Sequence, residues 1–150
     1  MARNILIRNA SIVNEGSVFR GCVVLKDQHI AGIFRGHKAE EEAVAFCGTR
    51  DIDIDASGKI MIPGIIDDQV HFREPGQPGK GTMMQESRSA LLGGVTSVMD
   101  MPNNVPPVIT AELLEQKYIL AREKMYVNYA FYMGATNTNT REVLKPVRQS

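Results

Sequence analysis

An imidazole, a guanidinium and a carboxylate stand close together near the middle of this chain. His71, Arg73 and Glu74 follow the apolar run Ile60 to Ile66, which only a Pro-Gly pair interrupts. The run is rich in β-branched residues and too short for a solitary helix, so it predicts a parallel strand buried on both faces. Ligands of α/β folds bind beyond the carboxyl ends of such strands. We therefore expect chemistry at this point of the chain.

A second polar stretch follows the next apolar run. Val95 to Met101 predicts another buried strand, and Asn103 comes shortly after it, beside a proline. An asparagine beside proline is by itself typical of an Asx turn. On these residues alone, the Asx turn is the preferred interpretation of Asn103.

Both stretches resemble one family of enzymes. Residues 63–76 resemble the first barrel strand of the amidohydrolase superfamily, in which an Asp-x-His-x-His segment carries two histidines onto a metal. The Phe-Arg-Glu-Pro-Gly sequence that begins at Phe72 narrows the resemblance to the dihydroorotases. Residues 93–103, Gly-Gly-Val-Thr-Ser-Val-Met-Asp-Met-Pro-Asn, resemble a second block of that family. One residue departs from the pattern: Gln69 stands where the family has the first histidine.

The resemblance implies roles for individual residues. His71 would bind a Zn2+ ion, which supplies hydroxide at neutral pH by lowering the pKa of its bound water to about 7. Gln69 would be a weaker ligand, because a neutral amide oxygen binds zinc less well than imidazole does. Asp68, beside it, is expected to point to the other face of the strand. Arg73 and Asn103 would hold the substrate carboxylate, the arginine through a two-pronged contact. No general base is assigned within the sequence, and the resemblance places it beyond Ser150.

The resemblance also implies the fold. We expect an α/β chain that begins a TIM-type (β/α)8 metal-dependent hydrolase barrel, preceded by part of a small β-sandwich domain. Residues 1–58 would form the sandwich part and residues 59–150 the first three β/α units. Such barrels need roughly 250 residues, so we expect the 150 residues to be incomplete.

Periodicity and capping residues predict the elements. Four short strands and a helix are expected before Ser57, at Ile5–Asn9, Ser17–Leu25, His29–Phe34, His37–Phe46 (the helix) and Asp51–Ile54. Beyond the barrel strand at 59–72, helices are expected at Met83–Leu92, Thr110–Lys124 and Asn139–Gln149, and strands at Val95–Met101 and Tyr126–Gly134. Thr82 and Thr110 are the expected N-caps. The second of these helices has one partly apolar face, formed by Leu113, Leu114, Lys117, Tyr118 and Ala121.

Composition excludes several classes of partner. Charges balance at 17 basic and 17 acidic residues, which argues against nucleic acid, and no apolar run approaches a membrane span. Cys22 and Cys47 lie far apart in the sequence and are interpreted as free buried thiols. The first ten residues lack the apolar core of a signal peptide. Both observations favour a cytoplasmic location. His29 and His37 stand alone and are interpreted as surface residues. The expected partner is a small-molecule substrate, and a homodimer is left open.

Three functions follow from these observations. The first is dihydroorotase activity, the reversible cyclisation of N-carbamoyl-L-aspartate to L-dihydroorotate in pyrimidine biosynthesis. The second is a catalytically silent dihydroorotase-like structural partner, which Gln69 favours. The third is another cyclic amidohydrolase, resembling allantoinases or hydantoinases. In each case these 150 residues alone are expected to be inactive, because most metal ligands and the base are not among them.

Overall fold

The computed structural model describes residues 3–145 and divides the chain at the Pro63–Gly64 peptide bond into two compact units. The elements of the first unit are β1 (Asn4–Asn14), β2 (Ser17–Lys26), β3 (His29–Arg35), α1 (Ala39–Cys47), β4 (Ile52–Asp55) and β5 (Ile60–Met61). Those of the second are β6 (Ile65–Val70), a 3-10 turn (Pro78–Lys80), α2 (Met83–Leu92), β7 (Val95–Asp100), α3 (Ala111–Arg122), β8 (Asn128–Phe131) and α4 (Thr140–Val143).

The first unit is one sheet built around β1. That strand pairs antiparallel with β2 and parallel with β4 and β5, and β3 pairs with the far side of β2. Leu6 and Val24 pack with α1 in one buried cluster, whereas Ile12 and Val23 belong to another. Cys22 and Cys47 are free thiols, as predicted, and both are buried. They belong to the same apolar cluster as Leu6 and Val24 and form no disulfide.

The second unit is a parallel sheet in the order β6, β7, β8, with helices between successive strands. Its core includes Met83 from α2, Val98 from β7, Leu114 from α3 and Phe131 from β8. The helices therefore cover one face of the sheet. None of the helices in residues 3–145 has both the length and the apolar run that crossing a bilayer requires.

The expected strand from Ile60 to Ile66 is wrong in two respects. The structure has two strands there, because Pro63 lacks an N–H donor and Gly64 approaches Thr96 so closely that a Cβ would lie 2.1 Å from its Oγ1. Strand β5 pairs with β1 of the first unit, not with β7. Ile65 and Ile66 are also 46% and 63% exposed rather than buried, because β6 lies at an edge of its sheet.

Both long helices begin where the sequence predicts. The Thr82 side chain accepts a hydrogen bond from the backbone N–H of Gln85, and Thr110 accepts one from Leu113. These bonds satisfy amides that a helix leaves unpaired in its first turn. The expected third helix is found only as the short α4, and the remainder of its predicted range, 146–149, lies outside the described residues.

Candidate active site

Two loops leave the carboxyl ends of neighbouring strands and carry most of the predicted site residues. The first site loop, residues 71–77, follows β6, and the second site loop, residues 101–107, follows β7. Backbone hydrogen bonds join them: the amide of Met101 donates to Val70 over 3.0 Å, and that of Val105 donates to Pro75 over 3.4 Å. The parallel register thus places the two loops side by side.

His71 and Asn103 meet between the two site loops. The Nδ1 atom of His71 lies 3.0 Å from Oδ1 of Asn103, and both side chains are exposed. Because an amide oxygen can only accept, Nδ1 carries the proton and the Nε2 lone pair of His71 is left free. The asparagine amide group, Nδ2, makes no hydrogen bond within residues 3–145.

Gln69 lies at an irregular part of β6. Asp67 pairs with Val98 and Val70 with Asp100, so three steps along β6 match two along β7, which is a β-bulge. Asp68 and Gln69 therefore both line a cavity of about 450 Å³, which the ends of β7 and β8 complete with Met101, Pro102, Tyr132, Met133, Gly134 and Ala135. The sequence-based expectation that Asp68 faces away from Gln69 is wrong, because the bulge breaks the strand alternation on which it depended.

Arg73 is half-buried in the first site loop. Its guanidinium makes no hydrogen bond or ion pair with any side chain or backbone group in residues 3–145. The adjacent carboxylate of Glu74 has other partners: it accepts from the backbone N–H of Met83 over 2.8 Å and from Nζ of Lys124 over 2.7 Å. Glu74 therefore anchors the loop to the start of α2 and to the segment that follows α3, and Arg73 does not brace it.

Beneath the two site loops lies a buried ion pair that sequence reasoning missed. Asp100, the last residue of β7, and Lys117, on the inner face of α3, are both fully buried, and the Lys117 ammonium lies 2.8 Å from the Asp100 carboxylate. Burial raises the pKa of the Asp100 carboxyl, and the contact with Lys117 opposes this shift. Burial likewise lowers the pKa of the Lys117 amine, and the contact with Asp100 opposes this shift. The contact therefore favours the charged form of each group, which burial alone disfavours.

A signal for this pair was present in the sequence. Helical spacing placed Lys117 on the same face as Leu114 and Ala121, and all three are buried. A lysine at such a position requires a buried partner. The partner, Asp100, ends an apolar strand, where an acidic residue is equally unexpected.

The described residues do not by themselves fit a catalytic zinc ion. Such a site ordinarily takes three protein ligands. Here the strand end offers the imidazole of His71 and the amide of Gln69, and within residues 3–145 no three His, Cys, Asp or Glu side chains are grouped so that they could hold a metal. The metal expected from the resemblance stays a prediction for the complete protein.

Comparison with known proteins decides the family. A family model described as "Dihydro-orotase-like" matches residues 58–147. The chain belongs to this dihydroorotase-like family. It is 32% identical over 139 residues to a dihydroorotase of Lactobacillus acidophilus, which covers 93% of the chain and 30% of the relative. It is 43% identical over 93 residues to a dihydroorotase of Ehrlichia chaffeensis, which covers 61% of the chain and 20% of the relative.

The fold of this dihydroorotase-like chain is also that of a solved relative. It matches an L-hydantoinase (dihydropyrimidinase) from Arthrobacter aurescens with a TM-score of 0.82 and 26% identity, covering 95% of the chain and 30% of that structure. The predicted fold class is confirmed: the chain holds part of a small β domain and the start of the hydrolase barrel. It spans 30% or less of the length of these relatives.

Proposed function

We propose that the protein carrying this chain is a dihydroorotase, which interconverts N-carbamoyl-L-aspartate and L-dihydroorotate. The observation that carries the proposal is Arg73: a half-buried guanidinium without a protein partner in residues 3–145, two residues beyond His71. Withdrawing a charge from water without pairing it is unfavourable, so such a group favours an anionic ligand. Its planar fork matches a carboxylate, which both of these substrates carry beside the reacting amide.

Asn103 supports the same ligand. Its Oδ1 is occupied by His71, which leaves Nδ2 as a hydrogen-bond donor at the mouth of the same two loops. A donor of this kind suits a carboxylate oxygen. The bond also occupies Nδ1 of His71, so that its Nε2 atom remains available as a ligand atom.

Two other functions each have an observation in their favour. A catalytically silent, dihydroorotase-like structural partner is favoured by Gln69, which lines the cavity at the strand ends in place of an imidazole. Another cyclic amidohydrolase is favoured by the likeness to the L-hydantoinase structure. Neither alternative explains why Arg73 is half-buried without a partner among residues 3–145, and this is why we prefer the dihydroorotase.

The test compares two substrates in the complete protein. Dihydroorotate carries the carboxylate and dihydrouracil lacks it, while the cyclic amide is the same. Arg73→Met should lower kcat/KM for dihydroorotate by roughly 30-fold to several thousand-fold, since losing a charged contact costs about 2 to 5 kcal/mol. Arg73→Lys should lose less. Activity on dihydrouracil should already be poor in the parent and change little.

Lys80→Met provides the matched control, because Lys80 is an exposed cation four residues beyond Gly76 with no ion pair in the described chain. It should leave both activities unchanged. Equal losses on both substrates in Arg73→Met would remove the reason for naming dihydroorotate. Absence of activity on either substrate in the parent would favour the silent partner.

A further inference from the structure

Lys117 connects the two site loops through a fully buried ammonium group. Besides its ion pair with Asp100, Nζ donates to the backbone carbonyl of Met101 over 3.2 Å and to Oδ1 of Asn104 over 2.6 Å. The contact with Asp100 is an ion pair without hydrogen-bond geometry, since Oδ2 of Asp100 has no hydrogen-bond partner within residues 3–145. The face of the Phe131 ring covers the group at 4.6 Å. Because the ammonium is fully buried under these groups, it does not reach a substrate, and any role of Lys117 in the reaction is exerted through its partners.

Those partners extend the connection to the first site loop. The amide of Asn104, Nδ2, donates to the carbonyls of Phe72 and Glu74 over 3.2 and 2.8 Å. The carboxylate of Asp100 accepts from the backbone N–H of Phe72 over 2.9 Å. Phe72 is thus held on both its N–H and its carbonyl, and it lies directly between His71 and Arg73.

Stability alone does not account for this network. Replacing a buried ion pair by apolar residues of similar size is often neutral or stabilising. The neighbouring inner-face residues of α3, Leu114 and Ala121, are apolar and pack in the core as expected. Lys117 differs from these two residues in its contacts. Each of its partners lies in the second site loop or at the end of β7 just before that loop. One of these partners, Asn104, also bonds the first site loop.

We propose that Lys117 is a positioning residue that, through Asp100 and Asn104, fixes the first and second site loops relative to each other and so sets the placement of Arg73 and Asn103 for a carboxylate-bearing substrate. The part of this proposal that concerns the substrate rests on the proposed function. The part that concerns the two site loops is independent of the substrate and is measured separately.

The first experiment measures loop fixation without any substrate. In the complete protein, Lys117→Met should speed amide hydrogen exchange at least tenfold in residues 71–77 and 101–107, while α2 changes little. Leu114→Ala is the matched control, because Leu114 lies on the same face of α3 and its truncation removes core contacts without touching the network. It should not accelerate the two loops selectively. Equal acceleration in both variants overturns the proposal.

The second experiment measures substrate discrimination. Displacing binding groups by about 1 Å can cost a hundredfold in rate, so Lys117→Met should lower the preference for dihydroorotate over dihydrouracil roughly tenfold or more, chiefly through kcat/KM for dihydroorotate. Leu114→Ala should keep that preference. An unchanged preference in Lys117→Met overturns the role in specificity.

A double variant separates positioning from folding. Asp100→Asn combined with Lys117→Met removes the unpaired buried charge but does not restore the lysine contacts to Met101 and Asn104. It should recover thermal stability relative to Lys117→Met and still show fast loop exchange. Recovery of slow exchange overturns the proposal. If loop exchange responds as expected in a protein that turns over neither substrate, the positioning role stands and the proposed function fails.

Discussion

At the scale of single residues, Asp100 and Lys117 form a buried ion pair in the second unit. Both side chains have 0% exposure. Burial pushes the pKa of each group towards its neutral form, upwards for the carboxyl and downwards for the amine, and their contact opposes both shifts. Removing one partner should therefore affect the protonation of the other.

Lys117→Met should make the free energy of unfolding depend on pH. The variant loses the contacts that lower the Asp100 pKa, so the folded value rises further above the unfolded value of about 3.9. Between these two values the folded state binds a proton that the unfolded state has released, and stability falls as pH rises. The variant should therefore lose more unfolding free energy, relative to the parent, at pH 8 than at pH 4, and this loss should approach about 3 to 5 kcal/mol.

Urea unfolding of both proteins at the two pH values measures this effect. Adding Asp100→Asn to the variant should remove the pH dependence, because no carboxyl is then left to titrate at that position. If Lys117→Met loses the same amount of unfolding free energy at pH 4 and at pH 8, then titration of Asp100 does not control its stability.

The two stretches that resemble the dihydroorotases single out His71 and Asn103, and the structure brings these two side chains into contact. That they form a site stays a prediction. The orientation of Asp68 could not be predicted, because a bulge is set by pairing with β7 and leaves no mark on the alternation of β6 itself. Lys117 could be assigned to an inner face by its spacing, but its partner lies 17 residues earlier on another element.

At the scale of elements, the close approach of the two site loops depends on Gly76. Its φ is +100°, and a Cβ there would lie 2.1 Å from the carbonyl oxygen of Val105. Backbone atoms cannot move aside as a flexible side chain can. The first site loop therefore requires glycine at this position for two separate reasons, conformation and space.

Gly76→Ala should destabilise the protein by at least about 1 to 3 kcal/mol, from backbone strain before any clash is counted. Gly79→Ala is the control in the same segment of chain, since a Cβ at Gly79 meets nothing within 4 Å. It should change stability by no more than about 0.5 kcal/mol. Urea unfolding of both variants gives the comparison, and similar losses at the two glycines would contradict the close approach.

Capping residues predicted the helices well, because the N-cap signal is local: Thr82 and Thr110 each bond an amide three residues ahead. The division between β5 and β6 was not predicted. The apolar run from Ile60 to Ile66 is continuous in composition, and only tertiary pairing, with β1 on one side of the Pro-Gly break and β7 on the other, separates it.

At the scale of the whole molecule, the chain spans a minor part of its relatives. The described residues bring one imidazole and one amide to the strand ends and no group of three metal-binding side chains. The 150-residue chain, purified alone and supplied with Zn2+, should not open the ring of dihydroorotate. A spectrophotometric ring-opening assay checks this, with Zn2+ alone as the control. Turnover above that control would show that a working site assembles from these residues.

The pairing of Asp100 with Lys117 also constrains how this sequence can change over generations. Losing either partner leaves a buried charge unpaired, at about 3 to 5 kcal/mol, out of a total stability that is typically about 5 to 15 kcal/mol. An apolar pair would be tolerated, but a lineage reaches it only through a poorly folded intermediate. The two positions should therefore be inherited as a unit, so that homologous sequences retain both charges or have exchanged both.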